Sequence, residues 1–162
     1  MKYTFGHIEI SDRARSLVEE SFQRNWVSAG QSTKKFEELF ASTFSYKHAV
    51  AVSSGTSACF AALAALHEYG ATWGDEVIVP ALSFVAPANA VLAAGFKPVF
   101  VDIKRDTLNI DPQKIEAAIS QKTRAILLVH TMGKPCDMEI ICQIKDMHGL
   151  FLLEDCCEAH GA

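Results

Sequence analysis

Leu150-Phe151-Leu152-Leu153-Glu154-Asp155 reads as an apolar strand that delivers a carboxylate, Asp155, to its carboxyl end, with Cys156-Cys157-Glu158-Ala159-His160-Gly161 following. In an open α/β sheet that edge is where ligands sit. Working outward, the same pattern recurs. Short apolar runs at Ala49–Val52, Glu76–Val79, Pro98–Val101 and Ala125–Val129 alternate with helical stretches. Strands that read as unbroken apolar runs, separated by helices, predict a largely parallel sheet covered by helices on both faces.

Turn and cap chemistry places the helices. Ser11 or Asp12 caps a helix running towards Asn25 with Leu17, Val18 and Phe22 as its stripe, and Val27–Gln31 is a loop. Ser32 or Thr33 restarts a helix carrying Phe36, Leu39, Phe40 and Phe44 on one face. An alanine-rich helix follows Gly55 to about Tyr69, and a helix from about Pro87 to Ala94 stops at Gly95. Asp111-Pro112 opens a helix to about Ser120, and another spans about Met138 to His148, ending at Gly149. With no repeat, low-complexity tract or linker, one domain is the expected organisation.

Composition narrows the function classes. At 162 residues, 49% hydrophobic and 21% charged, the chain suits a soluble globular fold rather than disorder. A formal charge of −4 and no Lys/Arg run give no basis for nucleic-acid binding. The longest apolar stretch, Ala58–Leu66, is far short of the roughly 20 residues that span a bilayer. Met1-Lys2-Tyr3-Thr4-Phe5-Gly6 has no apolar signal region, so the cytoplasm is the expected compartment. Cys59, Cys136, Cys142, Cys156 and Cys157 show no CxxC spacing, and they read as reduced thiols with no metal site expected.

Ser53-Ser54-Gly55-Thr56-Ser57 opens a helix directly after an apolar run. A helix start carries unpaired N–H groups and partial positive charge, which suit a phosphate. The same residues also read as an ordinary turn and cap. The stretch is neither GxGxxG nor GxxxxGK, so dinucleotide and P-loop readings lack support. Phe84 reads as a core residue or as a lid on a flat heterocycle, and His130 and His160 read as structural. A phosphate grip and a carboxylate on one sheet edge suggest a phosphorylated cofactor held at both ends.

Together these segments resemble the DegT/DnrJ/StrS family of pyridoxal-phosphate (PLP) enzymes acting on nucleotide-linked keto sugars. The carriers are Val27–Gly30, Ala51–Ser57, Gly74–Pro80, Phe84–Val91, Lys97–Ile103, Asn109–Pro112 and Glu154-Asp155 through His160-Gly161-Ala162. The resemblance implies the fold type I aminotransferase architecture, with residues 1–162 as the amino-terminal part of the PLP-binding large domain and the small C-terminal domain absent. It implies a homodimer with active sites at the subunit interface. It places the PLP phosphate at Gly55, Thr56 and Ser57, the ring against Phe84, and Asp155 at the pyridine nitrogen. The implied activity is amino transfer, from a donor such as glutamate, to a nucleotide-linked keto sugar for surface glycans or antibiotics. No catalytic residue is assigned within the chain, because the family's Schiff-base lysine is expected beyond Ala162 and Lys134 and Lys145 do not match its motif. Glu158 stands where aminotransferases of this family usually carry an amide near the PLP phenolic oxygen. An acid there is tolerated in the family's PLP- or PMP-dependent sugar 3-dehydratases, which leaves dehydration as an alternative. A non-catalytic PLP-binding or dimerising module is the third reading.

Overall fold

A computed structural model describes residues 8–162; the Met1–Gly6 stretch read for a signal lies outside them. The chain divides into two compact units, one ending at Ala51 and one from Val52 to Ala162, where the sequence suggests one domain.

In the first unit, α1 (Asp12–Gln23) starts where Ser11 accepts a hydrogen bond from the Ala14 N–H, as an N-cap should. α2 (Gln31–Thr43) begins slightly earlier than the expected Ser32 or Thr33. Phe36, Phe40 and Phe44 pack along one face of it at the i, i+4 interval, their rings tilted, with centroids 5.8 and 4.7 Å apart. Gly30 before α2 leaves room for the Trp26 indole: a Cβ there would lie 2.4 Å from the indole nitrogen, which donates to the Ala29 carbonyl.

In the second unit, α3 (Gly55–Ala64) continues as a 3₁₀ turn (Ala65–Tyr69) and leads to β1 (Glu76–Pro80). Then follow α4 (Val85–Ala93), β2 (Lys97–Val101), α5 (Pro112–Ala118), β3 (Thr123–Val129), α6 (Met138–His148) and β4 (Phe151–Asp155). The four strands pair in the order β2-β1-β3-β4, all parallel. Because side chains alternate along a strand, the sheet feeds two cores. Val77, Val79, Ala125 and Leu127 pack with Leu63, Ala90 and Val91 from α3 and α4. Ile78, Ile126 and Leu128 pack with Ile115, Ile141 and Ile144 from α5 and α6. Both faces are therefore covered, which explains why the strands read as continuous apolar runs. The step from β1 to β2 goes one way under α4, whereas β2→β3 and β3→β4 go the other way under α5 and α6. That reversal beside β1 is a switch point, where such sheets open a ligand crevice at their carboxyl ends.

One expected strand does not form. Residues 49–52 lie outside the sheet: Val50 is 79% exposed, and the Ala51 N–H donates to the Glu37 carboxylate. The apolar run has strand composition, but no described strand offers it a ladder, and a strand exists only as a pair.

His67 in the 3₁₀ turn links the turn after it to the end of α4. Its Nδ1 faces the Ala71 carbonyl and its Nε2 the Ala94 carbonyl, both at 2.9 Å. Only the imidazolium donates to both, so these carbonyls raise the His67 pKa above its usual 6.5. The folded value lies above the unfolded one. The stabilisation is therefore complete below the unfolded value and is lost as pH rises through the folded one. Thermal midpoints of the protein and of His67→Gln, measured across pH 5.5–9 (~ range around the ordinary His value), should differ most at the acid end and converge upward. A constant difference contradicts the bridging imidazolium.

Candidate functional site

α3 begins directly after its N-cap, Ser54. Ser54 accepts a hydrogen bond from the Ser57 N–H at 3.1 Å, and the hydroxyls of Ser53 and Ser54 lie 3.1 and 3.0 Å from that of Ser57. The cap reading of this segment is thus met. The first-turn N–H groups of Gly55 and Thr56 donate to no acceptor among the described residues, and both residues are exposed. The helix start accordingly presents free donors and hydroxyls to solvent.

Asp155 ends β4 on the side of the sheet where α3 packs. Its Oδ2 is 3.9 Å from Cys59 Sγ, one turn into α3, and its Oδ1 accepts the Cys157 N–H at 3.0 Å. A Cβ added at Gly55 would lie 3.2 Å from Cys157 Sγ. The helix mouth and the strand tip are therefore neighbours on one side of the sheet. Asp155 makes no ion pair among the described residues.

Phe84 caps α4 just past the carboxyl end of β1 and is 77% exposed, so the core reading of its ring is corrected. The apolar positions that α4 buries are instead Ala86, Pro87, Ala90 and Val91. Beside Phe84, the buried Ser83 Oγ has no hydrogen-bond partner.

Glu158 does not stand free. Its carboxylate accepts the Met132 N–H at 2.7 Å, where Met132 turns through φ 56°. Next to it, a Cβ at Gly133 would come within 2.9 Å of the Glu158 carbonyl oxygen, and Gly133 has φ 78°. The 130–136 turn docks against the segment after β4 through these contacts. The turn is also held from below by buried Asn109: Oδ1 accepts the Thr131 N–H at 2.9 Å, and Nδ2 donates to the carbonyls of Lys134 at 2.8 Å and Pro135 at 3.1 Å. Sequence reasoning gave Asn109 no role. A buried asparagine between a strand and an Asp-Pro cap was the available signal.

His130 is buried and fully engaged. The Cys136 N–H donates to Nδ1 at 3.0 Å, so the proton sits on Nε2, which donates to Glu154 at 3.1 Å. The structural reading of His130 stands on those two bonds. Donor atoms of His130, Glu154 and Cys156 lie within 4.8 Å of one another, a spacing that a metal can bridge. With Nδ1 accepting and Nε2 protonated, however, the ring has no lone pair to give. All five cysteines are free thiols; burial pushes Cys136 up to about 12. Among the described residues, no helix is long and apolar enough to cross a membrane.

Residues 9–162 match the DegT/DnrJ/EryC1/StrS aminotransferase family. The chain is 46% identical over 142 residues to the spore coat polysaccharide biosynthesis protein SpsC of Bacillus subtilis, covering 88% of this chain and 36% of that protein. It is 40% identical over 154 residues to the GDP-perosamine synthase of Escherichia coli O157:H7, covering 94% and 42%. Among solved structures it resembles a GDP-4-keto-6-deoxymannose-3-dehydratase with a trapped PLP-glutamate geminal diamine, with TM-score 0.91 and 34% identity over 99% of this chain and 42% of that one. The chain thus spans between 36% and 42% of the length of these relatives. The sheet and its helices have the architecture of the fold type I PLP aminotransferases.

Proposed function

The chain belongs to the DegT/DnrJ/EryC1/StrS aminotransferase family, and on that premise we propose that it forms the cofactor-gripping part of a PLP-dependent aminotransferase acting on a nucleotide-linked keto sugar. The observation that carries this reading is the adjacency of the α3 mouth and the β4 tip, bridged by Cys59–Asp155 at 3.9 Å. PLP is an elongated group with a dianionic phosphate at one end and a basic ring nitrogen at the other. The donor set fits those ends: the free N–H groups of Gly55 and Thr56 with the hydroxyls of Thr56 and Ser57, and a carboxylate without an ion pair at Asp155. Exposed Phe84, just past the carboxyl end of β1, lies on the same sheet edge and is available to a planar ring.

When bound, PLP supplies an electron sink for breaking the bond to an amino-bearing carbon. The chain's own contribution is electrostatic. Asp155 keeps a proton on the ring nitrogen, which makes the ring more electron-withdrawing. The α3 start would hold the phosphate. The amine nucleophile belongs, on this reading, to a lysine after Ala162. The amino donor is of the glutamate class, and the working unit is a cytoplasmic homodimer.

A second reading, sugar 3-dehydration, is favoured by one observation. By the family resemblance, Glu158 stands where the aminotransferases usually carry an amide, and its carboxylate is held by the Met132 N–H.

Incubation of the complete enzyme with PLP, glutamate and a GDP-linked 4-keto-6-deoxy sugar, followed by mass spectrometry, separates the two. An amino sugar supports transamination and a sugar lacking one hydroxyl supports dehydration. An unchanged sugar across a panel of nucleotide-linked keto sugars contradicts both.

A further inference from the structure

The thiols around Asp155 have no part in the function proposed above, yet their placement is specific. Cys59 reaches the carboxylate from α3: its Sγ–H donates to Oδ2 at 3.9 Å. Cys157 reaches it from the segment after β4, through its N–H to Oδ1 at 3.0 Å. The Cys157 sulfur also sits against the first turn of α3, 3.2 Å from where a Gly55 Cβ would lie. Donors from two different elements therefore converge on one carboxylate, which otherwise has two free torsions at a strand tip.

We propose that Cys59 is a positioning residue, whose S–H group, together with the Cys157 N–H, holds the Asp155 carboxylate in a single orientation towards a protonated ring nitrogen. This rests on the PLP reading for its purpose, though not for the contact itself. A thiol suits the task because it is a weak donor. A lysine or arginine in its place would neutralise the charge that the ring nitrogen needs, whereas an S–H orients the carboxylate and leaves it anionic.

The thiols stay protonated. Cys59 is pushed up to about 11, by burial first and then by the Asp155 charge. Cys157 is also pushed up to about 11, chiefly by its hydrogen bond to Asp155. The other titratable groups facing them are Cys156 and, through Cys156, Glu154.

The test is alkylation by iodoacetamide at pH 8 of the cofactor-free complete protein, read thiol by thiol by peptide mass spectrometry with Cys142 as reference. In Asp155→Asn, Cys59 should react about threefold faster or more, the equivalent of half a pKa unit, because the carboxylate that accepts its S–H is gone. An unchanged Cys59 rate overturns the proposal. The second arm uses Cys59→Ala and Cys59→Ser in the holoenzyme. The alanine variant should lower kcat with KM unchanged, and the serine variant, which keeps a donor, should restore most of it. Full turnover in the alanine variant, or no rescue by serine, overturns the positioning role. Since the alkylation arm needs no cofactor, a protein that shows the shift but binds no PLP sinks the cofactor reading and leaves the thiol–carboxylate contact intact.

Discussion

Asp155→Ala in the complete enzyme is expected to lower turnover by about a thousandfold, the scale on which a well-placed proton-holding group acts. Its thermal stability should change little. The carboxylate ends a strand on a partly exposed edge, and the one N–H it accepts, from exposed Cys157, can turn to water. The expected loss of stability is therefore within about 1 kcal/mol. Asp155→Asn should separate charge from shape: it keeps the side-chain volume and loses most of the turnover. Steady-state kinetics beside a melting curve checks both. A variant that melts far below the parent, or that turns over at the parent's rate, contradicts the assignment of Asp155 to the ring nitrogen.

Asn109→Ala should produce the opposite pattern. Asn109 is buried and makes three hydrogen bonds to the 130–136 backbone. Removing them strands one N–H and two carbonyls, at an expected cost of about 3 kcal/mol. Against a total stability of roughly 5–15 kcal/mol for a domain, that is a large fraction. The turn it supports also presents the Met132 N–H to Glu158, so the segment after β4 should loosen with it. Asn109→Asp offers a contrast, since it retains an acceptor for the Thr131 N–H but turns an anion towards the carbonyls of Lys134 and Pro135. It should be at least as damaging. Chemical denaturation of the three proteins checks this, and equal midpoints would refute the role of Asn109.

Much of the second unit was legible because sheet burial writes itself into the strands. Glu76–Pro80, Thr123–Val129 and the alternation of Val77/Val79 against Ile78 carry both cores, so apolar runs read directly as strands. The caps were equally readable: Asp111 accepts from the Gln113 N–H, and Gly149 ends α6 at φ 64°. The run at 49–52 misled because composition reports what a strand would bury, not whether a partner lies beside it. Phe84 misled for a related reason, since a large ring after a strand reads as core, yet smaller residues fill that core here. The partners of His130, the Cys59 thiol contact to Asp155 and the grip of Asn109 join residues between 6 and 96 positions apart. Only the folded topology brings those together.

The most direct measurement is a crystal structure of the complete enzyme with PLP bound. The phosphate is expected on the N–H groups of Gly55 and Thr56 and the hydroxyls of Thr56 and Ser57, with the ring nitrogen about 2.8 Å from Asp155 Oδ, as a charge-assisted hydrogen bond requires. A phosphate seated elsewhere, or a ring nitrogen beyond hydrogen-bond reach of Asp155, would contradict the assignment.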